Sequence, residues 1–206
     1  MTSSTDRKIQ NINSLQLVPF AHPQGCRGYI LADQSTKEAL ALDAHLDLVD
    51  DIVQRINSEG WKLRHVVDTH THADHPSGAG ELAAQFDDCK RMAHEKANHA
   101  GLSVKAEDGR QIDLGNSQII ARHAPGHTPD HMVLIADGAL FSGDSLFIGG
   151  VARTDFLGGD AGQLFDSIHA ILTELSGKTL LLPGHDYQGR ISSTLAEEKN
   201  LTPGCK

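Results

Sequence analysis

No apolar run in the chain approaches the roughly 18 residues that cross a bilayer, so no membrane-spanning helix is expected. The first ten residues are polar, contain Asp6 and offer only Arg7 and Lys8 as cations, so neither a secretory signal nor a transit peptide is read there. Cysteine is scarce. Cys26, Cys89 and Cys205 are far apart and odd in number, which excludes a disulfide framework and a CxxC zinc pattern. A reducing, cytoplasmic setting is therefore expected. Positive charge is also short, with 18 Lys and Arg against 27 Asp and Glu and a net charge of -9. That balance argues against a nucleic-acid partner, because phosphate binding relies on clustered cations. There is no internal repeat that would signal a solenoid, and no low-complexity tract or Pro-rich linker divides the chain. The 206 residues are expected to form one domain, with residues 1–14 a loosely ordered segment.

Histidine is plentiful, at 13 residues, and it is concentrated. His70-Thr71-His72-Ala73-Asp74-His75 places four metal-ligating side chains within six residues. Three single ligands follow: His127 in Pro125-Gly126-His127-Thr128, Asp144 in Ser142-Gly143-Asp144-Ser145, and His185 in Pro183-Gly184-His185-Asp186. Each stands beside a glycine after a strand-like apolar run. Imidazole and carboxylate are the ligands of catalytic zinc, iron and manganese. A single HxH motif is weak evidence for a metal. The dense cluster and the three distant partners together point to a metal centre.

The remaining pattern alternates strands and helices. Strands are expected at Gly28 to Ala32, Ala39 to Leu42, His65 to Thr69, Ile112 to Leu114, Gln118 to Arg122, Met132 to Ile135, Ala139 to Ser142 and Thr179 to Leu182. Leu46, Val49, Ile52, Val53 and Ile56 recur at helical spacing, with Gly60 as a stop. Leu82 and Phe86 mark a helix after Ser77. Asp160 is expected to cap a helix whose apolar face is Leu164, Phe165, Ile168, Ile171, Leu172 and Leu175. This order gives sheets flanked by helices, with every ligand at a strand end.

The ligand set resembles that of the metallo-β-lactamase superfamily, over roughly residues 15–200. The resemblance implies an α/β fold, a four-layer αββα sandwich. Asp144 stands where class B1 β-lactamases carry Cys, and His72 where flavodiiron proteins carry Glu, so both groups are disfavoured. Two subfamilies remain. Glyoxalase II hydrolyses the thioester S-lactoylglutathione to lactate and glutathione. The persulfide dioxygenase (ETHE1-like) family oxidises glutathione persulfide with O2 to sulfite and glutathione. The chain ends 21 residues after His185, which leaves no room for the C-terminal domain of glyoxalase II. Gly143-Asp144-Ser145-Leu146-Phe147-Ile148 followed by Arg153-Thr154-Asp155-Phe156 resembles the GD…GRTDF segment of the dioxygenases, although Ala152 replaces the usual glycine. The tail from Pro183 to Lys199 also resembles that family, although Asn200-Leu201-Thr202-Pro203 replaces its usual Asn-Pro ending. The dioxygenase is the expected activity.

The residues alone fit either chemistry. A dizinc hydrolase would use His70, His72 and His127 for one ion, Asp74, His75 and His185 for the other, and Asp144 as the bridge. A mononuclear iron site needs two imidazoles and one carboxylate, with open positions for a thiol and oxygen. The resemblance implies one Fe(II) per chain held by His70, His127 and Asp144, with His72, Asp74, His75 and His185 orienting ligands and water. One or two Zn(II) per chain is the alternative. Glutathione carries two carboxylates, so Arg153, Tyr187 and Arg190 are candidates to bind it. Arg153 could instead brace its loop through Asp155 or Asp160, and Arg190 could be a plain surface charge. His131 is left out of the ligand set because Pro129 interrupts its helical spacing from His127. Asp68 is a candidate to steady the ligand loop, and Cys26 is expected to be a small core residue. The other histidines fit no ligand spacing. A homodimer is a further expectation carried by the resemblance.

Overall fold

A computed structural model describes residues 10–202. Cys205, Pro203 and residues 1–9 lie outside the described residues.

The first sheet has seven strands in sequence order: β1 (Gln10–Ile12), β2 (Leu15–Ala21), β3 (Arg27–Asp33), β4 (Glu38–Leu42), β5 (Lys62–Val67), β6 (Lys90–His94) and β7 (Val104–Ala106). The strands from β1 to β4 pair antiparallel, and those from β4 to β7 pair parallel. A parallel neighbour demands a crossover, which helix α1 (Val49–Glu59) supplies between β4 and β5 and α2 (Ala79–Ala83) between β5 and β6. The second sheet runs in the order β15 (Ser193–Thr194), β14 (Leu180–Pro183), β11 (Ala139–Gly143), β10 (Met132–Ala136), β9 (Ser117–His123), β8 (Arg110–Leu114). Helix α3 (Ala161–Glu174) crosses between the parallel pair β11 and β14. A small hairpin of β12 (Leu146–Phe147) and β13 (Gly150–Val151) leaves the end of β11, and α4 (Leu195–Leu201) closes the chain.

The layers follow from side-chain alternation along the strands. Tyr29 and Leu31 of β3 join Leu40 and Leu42 of β4 in a core shared with Ile119, Leu134 and Phe141 of the second sheet. Their neighbours Ile30, Ala32, Ala39 and Ala41 point the other way, onto Val49, Ile52 and Ile56 of α1. Val133, Leu140 and Leu181 of the second sheet meet Leu164, Ile168, Ile171 and Leu172 of α3. Three apolar interfaces make four layers, the αββα sandwich. Strands buried on both faces read as continuous apolar runs, as in the wholly buried β3.

Several elements differ from the sequence expectation. Gln10–Ile12 is an ordered strand where a loose segment was expected, because its backbone pairs with Leu15–Leu17. Pro19 hides β2 from a strand search. It is tolerated because β1 pairs only with residues 15–17, so Pro19 lies in a stretch with a neighbour on one side. Phe165 is half exposed and stacks on His169, since it follows Leu164 directly and so turns about 100° off the buried stripe. The helix after Ser77 stops at Ala83, and Phe86 packs onto the core from beyond its end. The capping box of Thr194 and Glu197, which starts α4, lay unread in the tail.

Candidate metal centre

All the expected ligands gather at one rim of the sandwich. The segment from Asp68 to Ser77 leaves the C-terminal end of β5, His127 lies between β9 and β10, Asp144 follows β11, and His185 follows β14. Three carboxylates hold the dense cluster in shape. Asp43, at the end of β4, accepts hydrogen bonds from the Thr69 amide (2.7 Å) and hydroxyl (2.9 Å). Asp130 accepts from the Thr71 amide (2.9 Å) and hydroxyl (2.7 Å). Asp68 accepts from the Ser77 hydroxyl (2.9 Å), so it does steady the loop.

Donor atoms of His70, His127 and Asp144 all lie within 4.8 Å of one another. Hydrogen bonds set the tautomers. The Thr69 hydroxyl donates to Asp43, so it accepts the Nδ1–H of His70 at 2.9 Å and leaves Nε2 as a lone-pair donor. That Nε2 is buried without a hydrogen-bond partner. Burial, with the imidazoles of His72, His131 and His127 beside it, holds His70 well below the usual histidine range and so neutral. His127 Nδ1–H donates to the Arg153 carbonyl (3.0 Å), which frees its Nε2, 3.9 Å from Asp144 Oδ2. The Phe156 ring meets His127 edge-on, with ring centroids 5.1 Å apart. The Arg153 to Phe156 segment thus braces a ligand through a carbonyl and a ring. Two imidazoles, each with one nitrogen not engaged by the protein backbone, and one carboxylate fit a divalent transition metal, and the orphaned buried Nε2 of His70 is otherwise costly.

The other four residues of the cluster take different positions. His72 Nε2 lies 3.3 Å from Asp43 and 3.9 Å from Asp68. Burial opposes its charging, but Asp43 and Asp68 outweigh that and push its pKa up to about 9. Its ring centroid lies 4.2 Å from that of His70, and both its ring nitrogens are buried without a hydrogen-bond partner. His185 spans Asp144 Oδ1 (2.8 Å) and Asp74 Oδ2 (3.0 Å). Burial again works against charge, but the two carboxylates push its pKa up to about 12. His75 donates through Nδ1 to the Pro76 carbonyl and groups with Asp74 and Cys26. Cys26 is therefore more than core filling: its Sγ is 3.4 Å from Asp74, and its backbone bridges to His185.

Two organising residues escaped sequence reasoning. Asp43 carries no motif of its own, and only its contacts reveal it. His131, expected outside the ligand set, positions a candidate ligand instead. Fully buried, it accepts the Asp144 amide through Nε2 at 3.0 Å, and burial pulls its pKa down to about 4, in keeping with a neutral acceptor. A histidine flanking a ligand loop was the available signal.

The centre opens into a cavity of about 680 Å³, with Asp74, His127, Asp144 and His185 at its base. Arg153 and Tyr187 line it. Arg153 is exposed and bonded to Asp155 at 2.7 Å, and Tyr187 stacks parallel to His185. Arg190 is not among the residues lining the cavity; it pairs with Glu197 at 3.1 Å, as a surface charge does. Among the described residues no helix is long and apolar enough to cross a membrane.

Residues 35–185 match the family described as the Metallo-beta-lactamase superfamily. The mitochondrial persulfide dioxygenase ETHE1 of Bos taurus is 35% identical over 184 residues, covering 88% of this chain and 72% of the relative. A probable hydroxyacylglutathione hydrolase of Schizosaccharomyces pombe is 31% identical over 183 residues, covering 84% of this chain and 70% of the relative. The crystal structure of ETHE1 from Myxococcus xanthus superposes with a TM-score of 0.87 at 32% identity, covering 91% of this chain and 83% of that one.

Proposed function

Because the chain belongs to the metallo-beta-lactamase superfamily and is similar to the ETHE1 persulfide dioxygenases along most of its length, we propose that it is an iron-dependent persulfide dioxygenase. It converts a thiol persulfide, O2 and water to the free thiol and sulfite, with release of two protons. The observation that carries this reading is the convergence of His70, His127 and Asp144, whose donor atoms all lie within 4.8 Å of one another. Two imidazoles and one carboxylate, of which His127 and Asp144 line the cavity, suit a mononuclear site with open positions.

His70 Nε2, His127 Nε2 and Asp144 Oδ2 would hold one Fe(II). Bound there, the ion supplies the redox chemistry and the open positions for the persulfide sulfur and dioxygen. The protein supplies the rest. Thr69 and the Arg153 carbonyl fix the two imidazole tautomers. His185 engages Asp144 Oδ1 and so leaves Oδ2 for the metal, while His131 fixes the Asp144 backbone. His185 holds a proton between Asp74 and Asp144 beside the cavity base. Phe147 and Phe156 limit water at the reacting sulfur. A reducing, cytoplasmic location and a homodimer belong to the same proposal, the first supported by the free Cys26 and Cys89.

The test is anaerobic reconstitution with Fe(II), followed by elemental analysis and an oxygen electrode. About one iron per chain with oxygen uptake on glutathione persulfide is the expected result. About two zinc per chain, with oxygen-independent cleavage of S-lactoylglutathione, would replace this reading by the hydrolase.

A further inference from the structure

One wall of the cavity is the hairpin of β12 and β13, from Phe147 to Val151. That hairpin is poorly equipped to hold itself. Its strands are two residues each, they pair only Leu146 with Val151 and Phe147 with Gly150, and residues 149 and 150 are both glycine. A two-stranded ribbon is marginal in water even when longer, and glycine adds backbone freedom that ordering must remove. Two bonds secure the base. The Ser142 hydroxyl donates to the Leu146 carbonyl (2.6 Å), and the Ala152 amide donates to the Ser145 carbonyl (3.0 Å). Neither reaches the tip.

The tip is held from α4. Gly149, at a φ of +74°, donates its amide to Glu198 Oε2 at 2.7 Å. Glu198 is fully buried. The Ser193 hydroxyl meets its Oε1 at 2.5 Å, and the Thr202 hydroxyl meets its Oε2. All three partners are neutral. A buried acid costs free energy unless its oxygens are bonded, and an apolar side chain would fill the same space without that cost. The residue is therefore explained by its directed bonds. Those to Ser193 and Thr202 are local, whereas the bond to Gly149 spans 49 residues and ties two elements together. The hairpin also matters to the site, because Phe147 stands edge-on to His185 (ring centroids 6.0 Å apart) and to Tyr187 (5.3 Å). Freed of Glu198, the tip can swing about its base and carry Phe147, Ile148 and Val151 with it, while the base bonds keep Asp144 where it is.

We infer that Glu198 is a positioning residue for substrate binding. Through the Gly149 amide it fixes the hairpin wall against which the thiol part of the substrate packs, and it does so from outside the cavity lining.

Glu198→Met keeps the bulk and removes both oxygens, and Glu198→Gln keeps one acceptor oxygen for Gly149. Hydrogen exchange of the iron-loaded protein, read by mass spectrometry, reports on the tie directly. Amides of residues 146–152 should be protected in the parent and exchange at least about tenfold faster in Glu198→Met, while those of α1 keep their parental rates. Anaerobic calorimetry with glutathione should show binding at least about tenfold weaker in Glu198→Met, with iron content unchanged and Glu198→Gln restored to within about threefold of the parent. In an oxygen electrode the loss on glutathione persulfide should fall on KM and leave kcat. Absence of protection over residues 146–152 in the parent overturns the inference, whether or not Glu198→Met folds. So does an unchanged glutathione affinity once the tip is loosened. A Glu198→Met variant that loses iron, α1 protection and glutathione binding together also overturns it, since a merely structural residue gives that result. The KM readout rests on the dioxygenase reading, and the exchange readout does not. The expected exchange and glutathione binding with no oxygen uptake on glutathione persulfide supports the positioning role and sinks the dioxygenase.

Discussion

Thr69 shows how much one residue outside the ligand set decides. Its amide and hydroxyl are both spent on Asp43, and only then is its oxygen free to accept the proton of His70. Asp43→Ala removes the carboxylate that orients Thr69 and, through it, His70, and on the proposed function is expected to lower Fe(II) affinity by roughly 10- to 100-fold. Metal titration of the variant, with circular dichroism to verify the fold, checks this. Asp33 plays a similar part far from the site. It accepts from the Ser35 and Thr36 amides at 3.0 and 2.8 Å and from the Ser117 hydroxyl at 3.1 Å, tying two hairpin turns together. Burial would raise its pKa, but those bonds outweigh it and hold the carboxyl well below its usual range. A pKa lower in the folded state than in the unfolded chain means stability that is present above about pH 4 and is lost as pH falls below it. Asp33→Asn should therefore lower the urea midpoint at pH 7, with the difference from the parent shrinking below about pH 4. A midpoint difference that stays constant down to about pH 2 would disprove the linkage.

At the scale of elements, the site depends on how closely strand ends approach. β14 delivers His185 beside Asp144 only because residue 184 has no side chain: a Cβ there would lie 2.5 Å from Asp144 Oδ1 and 3.0 Å from the Gly143 carbonyl carbon. Gly184→Ala must push Asp144 or the β14 end aside, so iron retention is expected to fall at least about tenfold, the scale of a lost supporting contact. Helix α1 is the contrasting case. Ile56 is fully buried between the helix and the first sheet, and Ile56→Ala is expected to cost about 2–5 kcal/mol in chemical denaturation. Because the core cluster that Ile56 joins contains no candidate ligand, metal stoichiometry should stay unchanged.

For the whole molecule, the metal should act as a fastener. Its three ligands come from the ends of both sheets: His70 follows β5, His127 follows β9 and Asp144 follows β11. A ligand bound only to the folded state at about 100 times its Kd adds about 2.7 kcal/mol. For a chain of this size that corresponds to a rise in Tm of roughly 5–10 °C. Anaerobic Fe(II) should produce that rise in the parent and not in His127→Ala.

The amino-acid sequence determined the chemistry on offer: which ligands exist, and that each sits at the end of an apolar run. It also determined α1 with its Gly60 stop and the Asp160-capped α3, because helix faces and caps are written within a few consecutive residues. Only the tertiary structure decided that His72 turns to Asp43 and Asp68, that His131 holds Asp144, and that Arg190 lies away from the cavity. None of those contacts follows from the local periodicity: His131 meets Asp144 across 13 residues and a strand, and His72 meets Asp43 from a neighbouring strand end. Such contacts form only when strands pair and their end loops pack together, and the burial and charge they then share are properties of the assembled structure.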